Sequence, residues 1–201
     1  MNDFKYTIKP ESAALSPSVE QLLDRVFGAE RQEKASYLFR AGVAPLAPLS
    51  WVALEQNSPD GNPDGRLVGA IRYWPIQVGE TGHPALLRGP LAISPDLAGR
   101  GIGRALTFRT LEIAAAMGHD LVLLVGDYDY YKRFGFVPAT PYGFVMPGEA
   151  RPERLQVTEL RPGVLGRVSG EIRHANATVA AAPVQNAPIA RRRVRRSAAR
   201  A

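Results

Sequence analysis

The stretch that decides the fold reads Leu91-Ala-Ile-Ser-Pro-Asp-Leu-Ala-Gly-Arg-Gly-Ile-Gly-Arg-Ala-Leu106. Three glycines, at positions 99, 101 and 103, stand between a short apolar run and a helical pattern. Backbone N–H groups can approach an anion closely at the start of a helix where no Cβ intervenes. The spacing therefore predicts a phosphate-binding loop between a strand and a helix.

The flanking segments place this loop in a strand–helix–strand unit. Residues 86–94 are predicted as the first strand, and Gly118 is predicted to end the helix. Leu121–Val125 is uninterrupted and apolar, which is typical of a parallel strand covered on both faces. Together the strand, the helix and the second strand predict a right-handed βαβ unit. The predicted buried face of its helix consists of Ile102, Leu106, Ile113 and Met117, with Leu111 and Ala114 beside it.

The rest of the chain predicts a mostly antiparallel sheet around this unit. Ser16 is the predicted N-cap of a first helix, with Pro17 at its first position and Gly28 at its end. A turn at residues 57–65 predicts a hairpin. The other predicted elements are strands at 4–8, 50–56, 67–78, 144–146 and 154–160, and helices at 30–40 and 128–134, the last capped by Asp127.

Three phosphate-binding loops compete for this motif. A P-loop needs a Gly-Lys pair, which does not occur in this chain. A dinucleotide fingerprint needs G-x-G-x-x-G, but Arg104 and Leu106 stand where the third glycine would be. Asp127 could mimic the ribose-binding acid, so this second interpretation stays open.

The third interpretation rests on two further matches. Ile93-Ser-Pro95, Gly99-Arg-Gly-Ile-Gly103 and Leu106, followed by Tyr131-Lys-Arg-Phe-Gly-Phe136, resemble the motifs of the GNAT superfamily of N-acetyltransferases. Within the superfamily, residues 126–136 and 161–170 are most similar to the YhbS-type branch. The resemblance covers residues 4 to 174.

The resemblance implies an α+β GNAT-like fold, with a mixed central sheet of about six to seven strands flanked by helices. It also implies acetyl transfer from acetyl-CoA to a primary amine of an unidentified acceptor by direct attack, without a metal. Tyr131 would be the general acid for the departing thiolate, while an N–H at residues 91–93, that of Ile93 in particular, would polarise the thioester. The residues implied to bind acetyl-CoA are Leu91, Ala92, Ile93, Ala98, Gly99, Arg100, Gly101, Ile102, Gly103 and Arg104.

Two positions of this site depart from expectation or stay unassigned. Ala98 stands where the superfamily usually has Gln or Arg, so acetyl-CoA affinity is expected to fall modestly, with Arg100 and Arg104 compensating. The general base is not identifiable from the sequence. His83, Glu33 and Glu55 are candidates, each more typical of a solvated surface group.

The formal charge of +6 belongs to one end of the chain. Six arginines within residues 191–200 equal the whole excess, so the remainder is neutral. Residues 1–174 are therefore predicted as one GNAT domain, and residues 175–201 as a disordered linker and an arginine-rich tail. The tail predicts weak, non-specific contact with anions or nucleic acid.

Composition narrows the function classes further. The chain has no cysteine, which excludes disulfides and thiolate sites, and its three histidines are too scattered to predict a metal site. No apolar run reaches the ~20 residues of a membrane span, and a cytoplasmic protein is expected. Two other functions stay open, a non-catalytic CoA-binding module and a nucleic-acid-associated protein acting through the tail. A homodimer is equally open.

Overall fold

A sheet of nine strands organises the residues that this computed structural model describes, which are 4–56 and 65–178. The strands are β1 (Tyr6–Pro10), β2 (Trp51–Glu55), β3 (Arg66–Val78), β4 (His83–Ile93), β5 (Leu121–Val125), β6 (Val137–Pro138), β7 (Phe144–Val145), β8 (Leu155–Glu159) and β9 (Gly170–His174). Seven of them follow the order β1-β2-β3-β4-β5-β8-β6, while β9 pairs with β3 and with β7. Only β4–β5 and β7–β9 are parallel among the described pairs.

Helices cover both faces of this sheet. They are α1 (Ser16–Phe27), α2 (Ala35–Leu38), α3 (Ile102–Ala116) and α4 (Tyr128–Tyr131). Alternate residues of a strand point to opposite faces, so Val52 and Leu54 of β2 pack with α1, whereas Trp51 and Ala53 pack with α3. Both faces of the central strands are therefore buried, and the predicted α+β class is confirmed.

The strand predictions are confirmed over the motif and the hairpin. β3 and β4 form the long antiparallel pair, and β5 pairs in parallel with β4 at Leu86–Val122 and Leu87–Leu123. The predicted turn at residues 57–65 lies almost wholly outside the described residues. The short strands β6 and β9 were not indicated by the sequence, and β9 extends the sheet at the far end of β3.

Two helix predictions were wrong in detail. Ser16 does not cap α1; it is the first helical residue, and its hydroxyl donates to Glu11 Oε1 at 2.7 Å. The predicted helix at 30–40 is broken at Lys34, which is extended (φ −67°, ψ 141°), into a 3-10 turn and the short α2. Arg31 forms ion pairs with Asp24 and Glu20 of α1, and this tertiary contact accompanies the break.

The buried face of α3 also differs from the prediction. Met117 is 45% exposed, whereas Thr107 and Thr110 are fully buried. The Thr110 hydroxyl shares a 2.8 Å hydrogen bond with the Tyr73 hydroxyl, and Thr107 Oγ1 accepts from Arg88 at 3.2 Å. Polar groups on β3 and β4 therefore draw the two threonines toward the sheet.

The predicted division of the chain stays a prediction. β9 ends at His174, and residues 179–201, which hold most of the predicted linker and the whole tail, lie outside the described residues. Across residues 4–56 and 65–178, no helix is long and apolar enough to cross a membrane.

Candidate active site

A gap in the sheet forms the centre of the candidate site. β4 and β5 pair only at residues 86–87 and 122–123, after which β4 stays with β3 while β5 stays with β8. β4 nevertheless continues to Ile93 and β5 to Val125. One edge of β4 therefore faces an opening rather than a neighbouring strand.

A β-bulge in β4 begins where this opening begins. Ile71 pairs with Leu91 and Tyr73 with Arg88, so β4 carries one more residue than β3 over this interval. The extra length falls at Gly89 and Pro90. A Cβ at Gly89 would collide with the Trp74 ring, so glycine is required for the close approach of indole and backbone.

The bulge sets which backbone groups face the opening. Ser94 N–H donates to Val68 O on β3 at 2.8 Å. Because hydrogen-bonding direction alternates along an antiparallel strand, the N–H groups of Leu91 and Ile93 point away from β3. The opening is thus lined by main-chain donors of two residues that the sequence analysis assigned to cofactor binding. Ala92 between them is buried and pairs with Ala70 of β3.

The glycine loop follows directly and leaves its amides unsatisfied. Gly99 and Gly101 adopt positive φ angles of 81° and 83°. The first hydrogen bond into α3 runs from Ala105 N–H to Gly101 O at 3.0 Å. Ahead of it, the N–H groups of residues 99 and 101–104 have no acceptor among the described residues. A set of free amides at a helix start is suited to binding an anion.

Two of the predicted donors in this loop are already used. Ala98 N–H donates to Pro95 O and Arg100 N–H to Leu97 O, each at 3.3 Å. The contribution of Arg100 would therefore come from its exposed side chain. The guanidinium of Arg104 is exposed as well, and neither arginine pairs with an acid in the described chain. A Cβ at Gly99 would meet nothing within 4 Å, so this side of the loop is open.

Tyr131 lies across the opening from β4. Asp127 caps α4, as predicted, by accepting from Asp129 N–H at 2.9 Å. The Tyr131 ring packs on Tyr130, Phe134 and Phe136, with centroid distances of 4.9, 6.3 and 5.9 Å. A Cβ at Gly126 would collide with this ring, so the strand-to-helix turn brings the phenol against the backbone.

A cavity of about 580 Å³ lies between the bulge of β4 and Tyr131. Its walls come from the bulge of β4, the end of β5, α4, the segment around α2 and residues 148–154. Leu91, Tyr130 and Tyr131 all line it. Tyr130 therefore shares the cavity wall with Tyr131, and its hydroxyl lies 2.7 Å from where a Cβ of Gly103 would be.

Residues 48–138 match a family model described as the acetyltransferase (GNAT) domain. This stretch is similar to a GNAT acetyltransferase domain. The chain is similar to the uncharacterized N-acetyltransferase YhbS of Escherichia coli K12, with 24% identity over 167 residues, covering 83% of this chain and 95% of YhbS. This similarity confirms the predicted resemblance.

Solved structures share the fold of this chain. The crystal structure of Escherichia coli YhbS in complex with CoA matches with a TM-score of 0.70 at 24% identity, covering 87% of this chain and 92% of that chain. A GNAT family acetyltransferase from Brucella melitensis in complex with acetyl-CoA matches with a TM-score of 0.58 at 20% identity, over 85% and 96% of the two chains.

Arg88 is the residue of the candidate site that sequence reasoning missed. It lies on β4 immediately before the bulge and is only 3% exposed. Its guanidinium carbon lies 4.7 Å from the Tyr131 ring centroid, and its Nε has no hydrogen-bond acceptor in the described chain. Burial alone would lower the pKa of Arg88, but the phenols of Tyr131 and Tyr73 outweigh burial and raise this pKa. A lone charged residue in the apolar run Ala85–Ile93 was the available signal.

The three candidates for the general base lie in different parts of the structure. Glu33 lines the cavity, whereas Glu55 binds Arg66 at 2.8 Å in the β2–β3 pair. His83 begins β4 with its Nε2 3.5 Å from Asp120, away from the cavity lining. Within the described residues, no group of three His, Cys, Asp or Glu side chains could hold a metal ion.

Proposed function

We propose that this chain transfers the acetyl group of acetyl-CoA to a primary amine of an acceptor molecule by direct attack. The observation that carries the proposal is the open edge of β4 beside a loop of free amides, with Tyr131 on the opposite wall. The loop offers hydrogen bonds to a pyrophosphate, and the edge offers them to an extended arm.

The ligands bound in two similar structures support the choice of donor. Escherichia coli YhbS was solved with CoA, and the Brucella melitensis acetyltransferase with acetyl-CoA. Acetyl-CoA suits this chain because the free amides of residues 99 and 101–104 could bind its phosphates. Exposed Arg100 and Arg104 add positive charge beside them, and neither pairs with an acid among the residues that the structure describes.

Each step of the transfer has a residue in reach. The amine nitrogen attacks the thioester carbon, and the N–H of Leu91 or Ile93 stabilises the oxygen that gains negative charge. As the C–N bond forms and the C–S bond breaks, Tyr131 donates its proton to the departing thiolate. The proton released by the new ammonium returns the phenolate to the phenol. A phenol suits this step because it ionises in a range close to that of a thiol.

Titration calorimetry with acetyl-CoA tests the donor. We expect micromolar binding with NADH silent, because the loop lacks the dinucleotide fingerprint. Binding of NADH instead would support the dinucleotide interpretation, and failure of acetyl-CoA to bind would contradict the proposal.

Turnover tests the chemistry, with release of the free thiol as the readout. Tyr131→Phe is expected to reduce kcat by about 100-fold with acetyl-CoA affinity retained, since general acid catalysis contributes on this scale. Tyr142→Phe is the matched control, because Tyr142 is 41% exposed and outside the cavity lining. Acetyl-CoA binding without turnover on any amine would favour the non-catalytic CoA-binding module.

A further inference from the structure

The cavity walls carry an excess of positive charge. Six of the lining side chains are basic and three are acidic. Of the six, Arg31 alone forms an ion pair with an acid within the described residues, and its partners Asp24 and Glu20 belong to α1. The acids are partly used by the backbone, since Asp127 caps α4 and Glu149 accepts from Arg151 N–H at 3.0 Å.

Arg40 is the guanidinium on the α2 side of the cavity. It lies between two aromatic rings, with its guanidinium carbon 4.1 Å from the Tyr37 centroid and 4.6 Å from the Trp74 centroid. Its Nη2 donates to Ser36 Oγ at 3.2 Å, while Nε and Nη1 are buried without an acceptor in the described chain. Burial lowers the pKa of Arg40 to about 10.

Arg40 and Arg88 flank the bulge where the acetyl group would react. The Trp74 ring that stacks on Arg40 presses against Gly89, and Arg88 precedes Gly89 in β4. Arg88 is more than nine-tenths buried, and its Nε has no acceptor in the described part of the chain. Two cations without anionic partners thus face one cavity around a single backbone position.

An unpaired buried cation is unfavourable, and a ligand can remove that penalty. Burial of a charge is costly unless the charge is paired and hydrogen-bonded. A guanidinium matches the planar geometry of a carboxylate and also binds phosphate groups. The two stacked rings hold the Arg40 guanidinium in one orientation, which reduces the entropy lost when an anion binds.

We propose that the acceptor amine also carries an anionic group, a carboxylate or a phosphate, and that Arg40 binds this group in the cavity. The inference rests on the proposed acetyl transfer and adds the class of acceptor to it. Arg88 remains beside Tyr131, where its charge increases the attraction of the cavity for anions. Amines without an anionic group would leave Arg40 unpaired.

Pairs of amines that differ in the presence of an anionic group test the proposed class of acceptor directly. Each α-amino acid of a panel is assayed with acetyl-CoA beside its own α-amide, and phosphoethanolamine beside ethanolamine, with free thiol as the readout. We expect kcat/KM to be higher for the anionic member of a pair by about tenfold or more, mainly through KM, because a hydrogen bond to a charged group is at stake. The two arms distinguish a carboxylate from a phosphate.

Binding of products gives a readout that does not require turnover. The CoA-saturated protein is titrated with N-acetyl amino acids and with their amides by calorimetry. Arg40→Gln should remove the preference for the acid form, and Arg40→Lys should restore part of it. Arg109→Gln is the matched control. Arg109 lies on α3 with its guanidinium carbon 5.2 Å from the centroid of the Trp51 ring, and it does not line the cavity. Thermal unfolding of each variant checks that it is folded.

The outcomes separate this inference from the proposed function. Three results would overturn the inference while acetyl-CoA still binds. The wild-type protein could bind acids and amides equally, Arg40→Gln could lose affinity for both to the same extent, or no anionic product could bind. Failure of the wild-type protein to bind acetyl-CoA would instead overturn the acetyltransferase itself.

Discussion

The guanidinium of Arg88 lies beside the phenol of Tyr131, the candidate general acid, in the cavity. A phenolate left after proton donation would lie beside a guanidinium that no carboxylate neutralises within the described residues. Thr107 fixes that guanidinium from α3, and the Thr107 hydroxyl itself donates to Gly103 O at 2.7 Å. The glycine loop and the candidate acid are therefore connected through two side chains.

We expect replacement of Arg88 to lower the activity with little change in the stability of the protein. Arg88→Met is expected to lower kcat by about tenfold with KM for acetyl-CoA unchanged, because the phenolate loses its neighbouring cation. Its melting temperature is expected to change little, since removal of a buried charge offsets the loss of the hydrogen bond to Thr107. Steady-state kinetics and thermal unfolding measure both.

Arg88→Lys provides the conservative comparison, because it keeps the charge and loses the planar contact. Partial recovery of kcat is expected. Equal loss of stability and activity in both variants would show that Arg88 is only a packing residue.

At the scale of elements, an ion-pair network holds the α2 side of the cavity to the sheet. Arg72 of β3 binds Glu11 at 2.6 Å and Glu20 of α1, while Glu20 also binds Arg31. Arg31 in turn donates to the Tyr37 hydroxyl at 2.6 Å, on the ring that stacks against Arg40. The orientation of the proposed anion contact thus depends on charges on three other elements.

This network predicts a loss of stability in acid. Burial alone would raise the pKa of Glu20, but its hydrogen bonds to Arg72 and Arg31 outweigh burial and lower it below 4.5. A lowered pKa contributes stability above the unfolded value, and this contribution disappears as the pH falls through the folded value. Glu20→Gln should therefore lower the melting temperature at neutral pH and have progressively less effect as the pH falls through the lowered folded pKa of Glu20.

Thermal unfolding of Glu20→Gln between pH 3 and pH 8 measures this difference. The control is Glu80→Gln, because Glu80 is exposed in the turn between β3 and β4 and forms no ion pair in the described chain. An effect of Glu20→Gln that is independent of pH would contradict an electrostatic origin.

Sequence reasoning succeeded where the signal is local. The glycines at 99 and 101 require positive φ angles, and the α4 cap at Asp127 follows from its own side chain, so both were predictable. The opening between β4 and β5 depends on which strands pair over long separations, and no local pattern encodes it. Likewise, the break at Lys34 accompanies ion pairs between Arg31 and α1, a contact with no periodic signature.

At the scale of the whole molecule, all parts of the proposed site lie between residues 27 and 154. The sheet that positions them ends with β9 at His174. A chain that stops at Thr178 keeps every described element, so its melting temperature and acetyl-CoA affinity should match those of the full chain. Calorimetric titration of both forms makes the comparison. A loss of acetyl-CoA affinity on truncation would show that residues 179–201 contribute to the site.

The open edge of β4 has a consequence for divergence among proteins with this fold. The contacts proposed there for acetyl-CoA would come from the N–H groups of Leu91 and Ile93, which every amino acid except proline supplies. Substitutions around the cavity can therefore change which acceptor fits without removing the contacts proposed for the donor. A lineage could exchange Arg40 or its neighbours, acquire a new acceptor, and retain its acetyl source throughout.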